Sequence, residues 1–454
     1  MQGIFDRVET MKRLLIVMIM LAGAQWCGAG RALCAGDELT LDRAMDAALS
    51  NHPTVAQLKA TVEQSRRQLG QSRSALYPTL DYQLSTSTTV GDESAPSSTA
   101  ASATSAALAS MFAQDEGDVS NALSLNYTLY DAGRRPGIRA GREFLTAAEL
   151  DLARFRDQLA VNVFTAFMSA YMAGQALHVQ EQSRDYFSEL RREARVRFEE
   201  GLIAESDFLT FADAYDQADI AVLNNSLQMR KAVIGLENLM HEPLGEDVRL
   251  ALPGAAEPMA AACDVEALVA QALEQREDVQ SARARAAALG HTVNQVKGAL
   301  KPSITVGAAY QISENDIGDV DSYDDLTRIT AQMNWRLTDG GRRRNAVLEA
   351  GARREQVLAQ LNSLEWGVRR EVRDACYAID NAQSRIGILE SSVGNAEKNL
   401  EIVTLRYKEG LITVSYVTDA ELNLTRARLS MIQARVDLAL GRRAMNLAIG
   451  GVTQ

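Results

Sequence analysis

Four histidines, His52, His178, His241 and His291, stand far apart, and none has the short spacing to another ligand that gathers a metal ion. The richest run of oxygen ligands is "ENDIGDVDSYDD" at 314–325. It lacks the ligand spacing and terminal glutamate of an EF-hand loop, so it reads as a solvated external turn rather than a calcium site. No G-x-S-x-G, phosphate-binding loop or glycine-rich dinucleotide turn occurs. Acidic and basic residues alternate along long stretches, the pattern of a solvated helix face. An enzyme is therefore not expected, and neither is a cofactor or a bound metal. The chemistry must lie in surfaces: which faces are apolar, which are polar, and what covers them.

The bulk composition narrows the surroundings. The chain has 454 residues, a net charge of −12 and 46% hydrophobic residues. So acidic a chain is a poor partner for nucleic acid, which needs clustered Lys and Arg to displace counterions. Met11-Lys12-Arg13 precedes the apolar run Leu14–Ala24, and small residues follow up to Ala35. A charged start, a short apolar core and a small-residue end make a secretory leader, with cleavage expected near Ala35. The residues ahead of Cys27 and Cys34 do not suit a lipoprotein site. Past that point only Cys263 and Cys376 remain. One lies in a loop and the other inside a helical stretch, so they are expected to be unpaired.

The rest of the chain is written twice. "RAMDAALSNHP" from Arg43 finds an echo in "ALVAQALEQRED" from Ala267, and Pro78 corresponds to Pro302. "LYDAGRR" from Leu129 corresponds to "LTDGGRR" from Leu337, and "RFEEGLI" from Arg197 to "RYKEGLI" from Arg406. Four matches in one order mark a duplication. The expected organisation is a leader at 1–35, a first repeat at 36–240, a linker at 241–263 and a second repeat at 264–454. Each repeat holds a helix, a strand pair (about 77–131 and about 301–338) and a helical hairpin with its tip at Gly201 or Gly410.

The strands show strict alternation. Leu80, Tyr82 and Leu84 alternate with polar residues, as do Leu123, Leu125, Tyr127 and Leu129. Ile304 to Ile312 and Ile329 to Leu337 repeat the pattern. Each strand then has one apolar and one polar face. That suits lipid on one side and water on the other, or a soluble sheet over a core. Residues 91–117 are rich in Ser, Ala and Thr and read as an exposed loop.

The helices are very long. No proline interrupts 138–200 or anything beyond 303, so a helix from about Arg343 to Lys408 would extend ~100 Å. It carries a heptad seam from Ile379 to Tyr407, and the return segment carries another from Val417 to Leu438. Glycine at 201 and 410 suits the left-handed residue that ends a helix.

Four strands cannot close a membrane barrel, and an open edge in lipid would leave backbone groups unbonded. Copies of the chain must close it, and cyclic symmetry makes a ring the natural solution. Three copies would supply twelve strands.

The doubled strand-pair and helical-hairpin plan, the "LYDAGRR" and "LTDGGRR" corners and the paired "EGL" tips resemble the TolC family of outer-membrane efflux proteins (the outer-membrane factors). The resemblance spans about Leu39 to Gly450. It implies a mixed, mainly α fold and a homotrimer. A twelve-stranded barrel would sit in outer-membrane lipid, continued by a periplasmic α-helical barrel. It further implies a passive channel of a tripartite efflux or type I secretion system. The partners would be a periplasmic adaptor protein and an inner-membrane pump or ABC transporter. Gly201, Leu202, Gly410 and Leu411 match the tips that meet the adaptor. Tyr407 and Asp207 match a hydrogen-bonded pair at the closed periplasmic end, and Asp419 matches a pore-facing aspartate there. Tyr416 stands where some relatives carry a second aspartate, and Ile412 where some carry the latch's basic residue. The rival reading, an exported coiled-coil structural protein without a transport role, leaves the amphipathic strands without a purpose. Arg134-Arg135 and Arg342-Arg343 begin helices, where positive charge is unfavourable, so they are expected to face headgroups or acidic neighbours.

Overall fold

The computed structural model describes residues 38–88, 117–245, 249–251, 263–314 and 323–451. The leader, nearly all of the Ser/Ala/Thr-rich loop, the centre of the acidic turn and much of the linker lie outside the described residues.

Within the described residues the two repeats have matching elements. The first has α1 (Leu41–Asn51) and α2 (Pro53–Ser74), strands β2 (Thr79–Thr88) and β3 (Gly117–Tyr130), then α3 (Arg134–Glu199) and α4 (Glu205–Met240). The second has α5 (Val265–Gln275) and α6 (Glu277–Gly298), β5 (Ser303–Glu314) and β6 (Tyr323–Asn334), then α7 (Arg342–Lys408) and α8 (Val414–Ile449). The helices have 11, 22, 66 and 36 residues in the first repeat and 11, 22, 67 and 36 in the second. Short strands β1 (Glu38–Leu39) and β4 (Arg249–Leu250) pair in parallel, placing part of the linker in a sheet.

Two compact units draw on interleaved segments: one on Met1–His52, Leu159–Ala260 and Asp380–Leu440, the other on Pro53–Gln158, Ala261–Ile379 and Gly441–Gln454. The second unit contains the four-stranded antiparallel sheet, in the order β2-β3-β5-β6. One row across it reads Leu80–Leu125–Ala308–Ile329, and the next, on the opposite face, reads Thr79–Asn126–Gly307–Thr330. Among the described residues, nothing covers the ends of the apolar row. Leu80 is 65% and Ile329 78% exposed. Both outer strands, β2 and β6, have an edge that no described strand pairs.

The helix breaks between α1 and α2 and between α5 and α6 share one backbone conformation, with His52 at φ −65°, ψ 123° and Arg276 at φ −64°, ψ 129°. The first repeat makes its break with Pro53, which drives the preceding residue out of the helical region. The second has no proline there. Instead Arg276, 2% exposed, is gripped from several sides. Its guanidinium donates to both Asp278 carboxylate oxygens (3.1 and 2.7 Å), to Glu371 (2.6 Å) and to the carbonyl of Ala448 (3.4 Å). Such a buried cation is tolerable because its charge and its donors are matched. One duplicated bend is thus held by two unrelated devices.

The strand-to-helix corners depart from expectation in one respect. β3 continues to Tyr130, with a bulge between Thr128 and Tyr130 that leaves Leu129 as the extra residue. β6 stops at Asn334, three residues short of Leu337. Its last partner is Ser303, preceded by Pro302, which has no N–H to extend the ladder. The arginines find local partners. Arg134 donates to the carbonyl of Thr128 (2.8 Å); Arg343 donates to Asp339 (2.7 Å) and to the carbonyl of Ala299 (2.8 Å). Asp339 is the acidic neighbour expected at the second corner.

The cysteines are not free. Cys263 and Cys376 form a disulfide with their Cα atoms 6.0 Å apart, which corrects the expectation of unpaired thiols. The loop residue lies against the helix that carries the other cysteine, a tertiary contact that local sequence context cannot reveal.

Candidate functional site at the hairpin tips

Each tip is a helix end with identical bonding. After α3, the Leu202 N–H donates to the Arg197 carbonyl (2.8 Å) and the Gly201 N–H to Phe198 (2.9 Å). After α7, the Leu411 N–H donates to Arg406 (2.9 Å) and the Gly410 N–H to Tyr407 (2.9 Å). This is the Schellman arrangement, and it needs a left-handed residue at its turn. Gly201 (φ 72°) and Gly410 (φ 76°) supply it. The next residue is thereby thrown outward: Leu202 is 69% and Leu411 68% exposed. Two large apolar side chains at the ends of helices, each set by a glycine, make a presentable pair of knobs.

Behind the knobs lies a cluster of Phe187, Leu190, Phe211, Tyr407, Val414 and Val417, with Ile203 and Ile412 packed against it. The isoleucines follow the exposed leucines, so each tip alternates a side chain out with one in. Phe211 meets the Tyr407 ring edge-on at 5.5 Å. The heptad seams run into this cluster, and all their residues are buried or half-buried. Tightly fitted alanines such as Ala382, Ala420 and Ala434 keep the helices close.

A cavity of about 1060 Å³ opens beside the tips, lined by Arg192, Glu193, Arg197, Asp207, Tyr407 and Lys408 among others. Asp207 and Tyr407 share this cavity, but within one chain they do not form the hydrogen bond that the resemblance implies. The Tyr407 hydroxyl is buried and has no partner among the described residues. Burial pushes its pKa up; Arg197 opposes this, and Asp207 and Glu193 add to it. The Arg197 guanidinium lies 5.7 Å from the Tyr407 ring. This cation was missed as a site residue, although it is the first letter of the repeated "RFEEGLI" motif. Tyr416, 61% exposed, and Asp419, also exposed, do not line this cavity.

Near the tip cluster, one buried acid went unnoticed in the sequence. Glu421 is 5% exposed, and Thr425 donates to it at 3.4 Å. Burial raises its pKa, against the opposing pull of Ser183, Arg428 and Thr425. A carboxyl whose folded pKa is raised favours the native state below its unfolded pKa. That contribution is lost as pH rises from the ordinary glutamate range through the folded pKa. Glu421→Gln is accordingly expected to raise the melting temperature by a few degrees at pH 7.5 and to leave it unchanged at pH 4. Thermal melts of the detergent-solubilised protein at both pH values check this, and equal shifts at the two would count against it.

The chain matches the family described as "Outer membrane efflux protein" twice, over residues 44–241 and 268–451. It is 23% identical over 340 residues to the outer membrane efflux protein BepC of Brucella suis, covering 73% of this chain and 72% of BepC. The solved CmeC outer membrane channel of Campylobacter jejuni superposes with a TM-score of 0.79 at 18% identity, over 90% of this chain and 85% of CmeC. The outer membrane protein VceC of Vibrio cholerae gives 0.77 at 19% identity, over 91% of this chain and 97% of VceC. A duplicated match across almost all the described helices and strands, with a sheet apolar on its open face, places this chain in the outer membrane efflux protein family.

Proposed function

We propose that three copies of this chain close their four-stranded sheets into a twelve-stranded outer-membrane barrel and act as a passive export channel. The observation that carries the reading is the sheet. Its apolar face is exposed, its other face is polar and both its edges are unpaired among the described residues. In lipid such edges must be bonded, and further copies of the same sheet can bond them.

The helical hairpins then form the periplasmic part. Gly201, Leu202, Gly410 and Leu411 offer two exposed leucines to a periplasmic adaptor protein, which links the channel to an inner-membrane pump or ABC transporter. Asp207, Tyr407, Tyr416 and Asp419 are assigned to the closed end, where the orphan Tyr407 hydroxyl requires a partner that a neighbouring chain or a bound water can supply. BepC is named as an outer membrane efflux protein, and for this chain an export role in a tripartite efflux or type I secretion system is proposed. Export begins with the leader at 1–35.

The test is lipid exposure. Ile329→Arg puts a charge in the middle of the apolar face and is expected to cost about 2–4 kcal/mol of membrane stability. The neighbouring Thr330→Arg faces the polar side and is expected to insert normally. The yield of heat-resistant oligomer in outer-membrane fractions reads both. Equal yields for the two variants would overturn the barrel reading.

A further inference from the structure

The polar face of the sheet ends in a cavity of about 1030 Å³. Its wall includes Asn126, Thr128, Thr305 and Asn334, all of which occupy polar-face positions in the strand register. Five cations also line it: Arg134, Lys301, Arg336, Arg342 and Arg343. Two of them are committed to the fold. Arg134 bonds the Thr128 carbonyl, and Arg343 is held by Asp339. Lys301, Arg336 and Arg342 are exposed, and their side chains have neither an ion pair nor a hydrogen bond among the described residues. The single acid in the wall, Asp131, accepts a bond from the Gly133 N–H at 2.7 Å.

We infer that Lys301, Arg336 and Arg342 form a lumenal station that binds polyvalent anions, such as phosphorylated or polycarboxylated solutes, as they enter the barrel. The inference rests on the channel reading above, because the polar face becomes the lumen only when the barrel closes. Three unmatched cations on one wall are notable in a chain with a net charge of −12. Like charges held together without counter-charges repel, and that cost is relieved when an anion bridges them. Lysine and arginine head groups suit phosphate and carboxylate oxygens, arginine by paired donors. Asn126, Thr128, Thr305 and Asn334 bring the site to the polar side of the sheet, where a dissolved anion in the lumen would meet it. Ring symmetry would repeat the station around the bore and multiply its field.

The experiment is block of single-channel current in bilayers of neutral lipid, with inositol hexakisphosphate as the probe. Unmodified protein should be blocked at micromolar probe. Neutralising all three cations (K301Q, R336Q and R342Q together) should weaken block at least tenfold while the open channel still conducts. K301Q and R336Q singly, each with no side-chain hydrogen bond or ion pair to lose among the described residues, should give intermediate block and guard against misfolding of the triple variant. Block of the triple variant at the concentration that blocks unmodified protein would overturn the station. So would block that depends on added anionic lipid. Absence of any channel current from the unmodified protein would instead bring down the channel reading itself.

Discussion

Gly298→Ala is expected to prevent the accumulation of folded protein. A Cβ on Gly298 would run into the backbone nitrogen of Gly133, lying 2.5 Å from the Gly133 Cα and 2.9 Å from the carbonyl carbon of Ala132. The close approach is reciprocal in kind, since a Cβ on Gly133 would meet the Gln295 carbonyl oxygen at 2.8 Å. Every atom closer than 3.0 Å belongs to backbone, so no rotamer change can make room. Overpacking of this sort costs about 1–3 kcal/mol when side chains can shift. With backbone on both sides the cost should be about 3 kcal/mol or more. The clash falls where α6 ends against the Asp131–Gly133 corner, so it would separate the sheet from its supporting helix. Gly351→Ala, in the interior of α7 with open space around it, is the control. There the methyl group should stabilise the helix by about 0.5–1 kcal/mol. Immunoblots of heat-resistant oligomer in outer-membrane fractions separate the outcomes. If Gly298→Ala accumulates like the control, the packing account of the corner is wrong.

The repeated corner motif shows both the reach and the limit of sequence reading. Duplication, element order and the tips were legible because each leaves a local trace. The trace is alternation in the strands, a seam of threes and fours in the helices, or glycine after a helix end. The two corners, however, look alike in sequence and differ in backbone. Gly340 and Gly341 both take positive φ, at 65° and 87°, while Ala132 and Gly133 take none. The first corner is instead fixed by close packing against α6. The same holds at the helix breaks, where His52-Pro53 announces a bend and Arg276-Glu277 does not. Arg276 bends the chain only because Asp278, Glu371 and the Ala448 carbonyl meet it from distant parts of the sequence. At the tip, the resemblance implies a hydrogen bond between Asp207 and Tyr407; within one chain they share a cavity without one, because a bond depends on side-chain positions that spacing cannot set.

Replacing Cys263 and Cys376 together with serine is expected to destabilise the protein by about 2–5 kcal/mol. The pair closes a loop with a sequence separation of 113, and the loss of chain entropy on cross-linking grows with the logarithm of loop length. For a loop of about 100 residues the chain-entropy estimate is ~4.7 kcal/mol, near the top of what native disulfides provide. The bond ties the residue just ahead of α5 to the interior of α7, where Cys376 is only 4% exposed. That position matters because α5 leads into the Arg276 bend, and Arg276 also reaches Glu371 on α7. Disulfide and ion pair thus fasten the same two segments, five residues apart along α7. With the covalent tie gone, the Arg276–Glu371 and Arg373–Glu266 ion pairs would remain between these segments. If the chain assembles as proposed, it need not unfold in two states, so the useful readout is the temperature at which the oligomer dissociates. It should fall for the serine variant, and equally for unmodified protein treated with reductant under denaturing conditions and then alkylated after refolding. Thiol titration in denaturant, which exposes the buried Cys376, supplies the second check. An oxidised pair gives no reactive thiol before reduction and two after it. Two reactive thiols in protein taken directly from the outer membrane would refute the bond and the stability assigned to it.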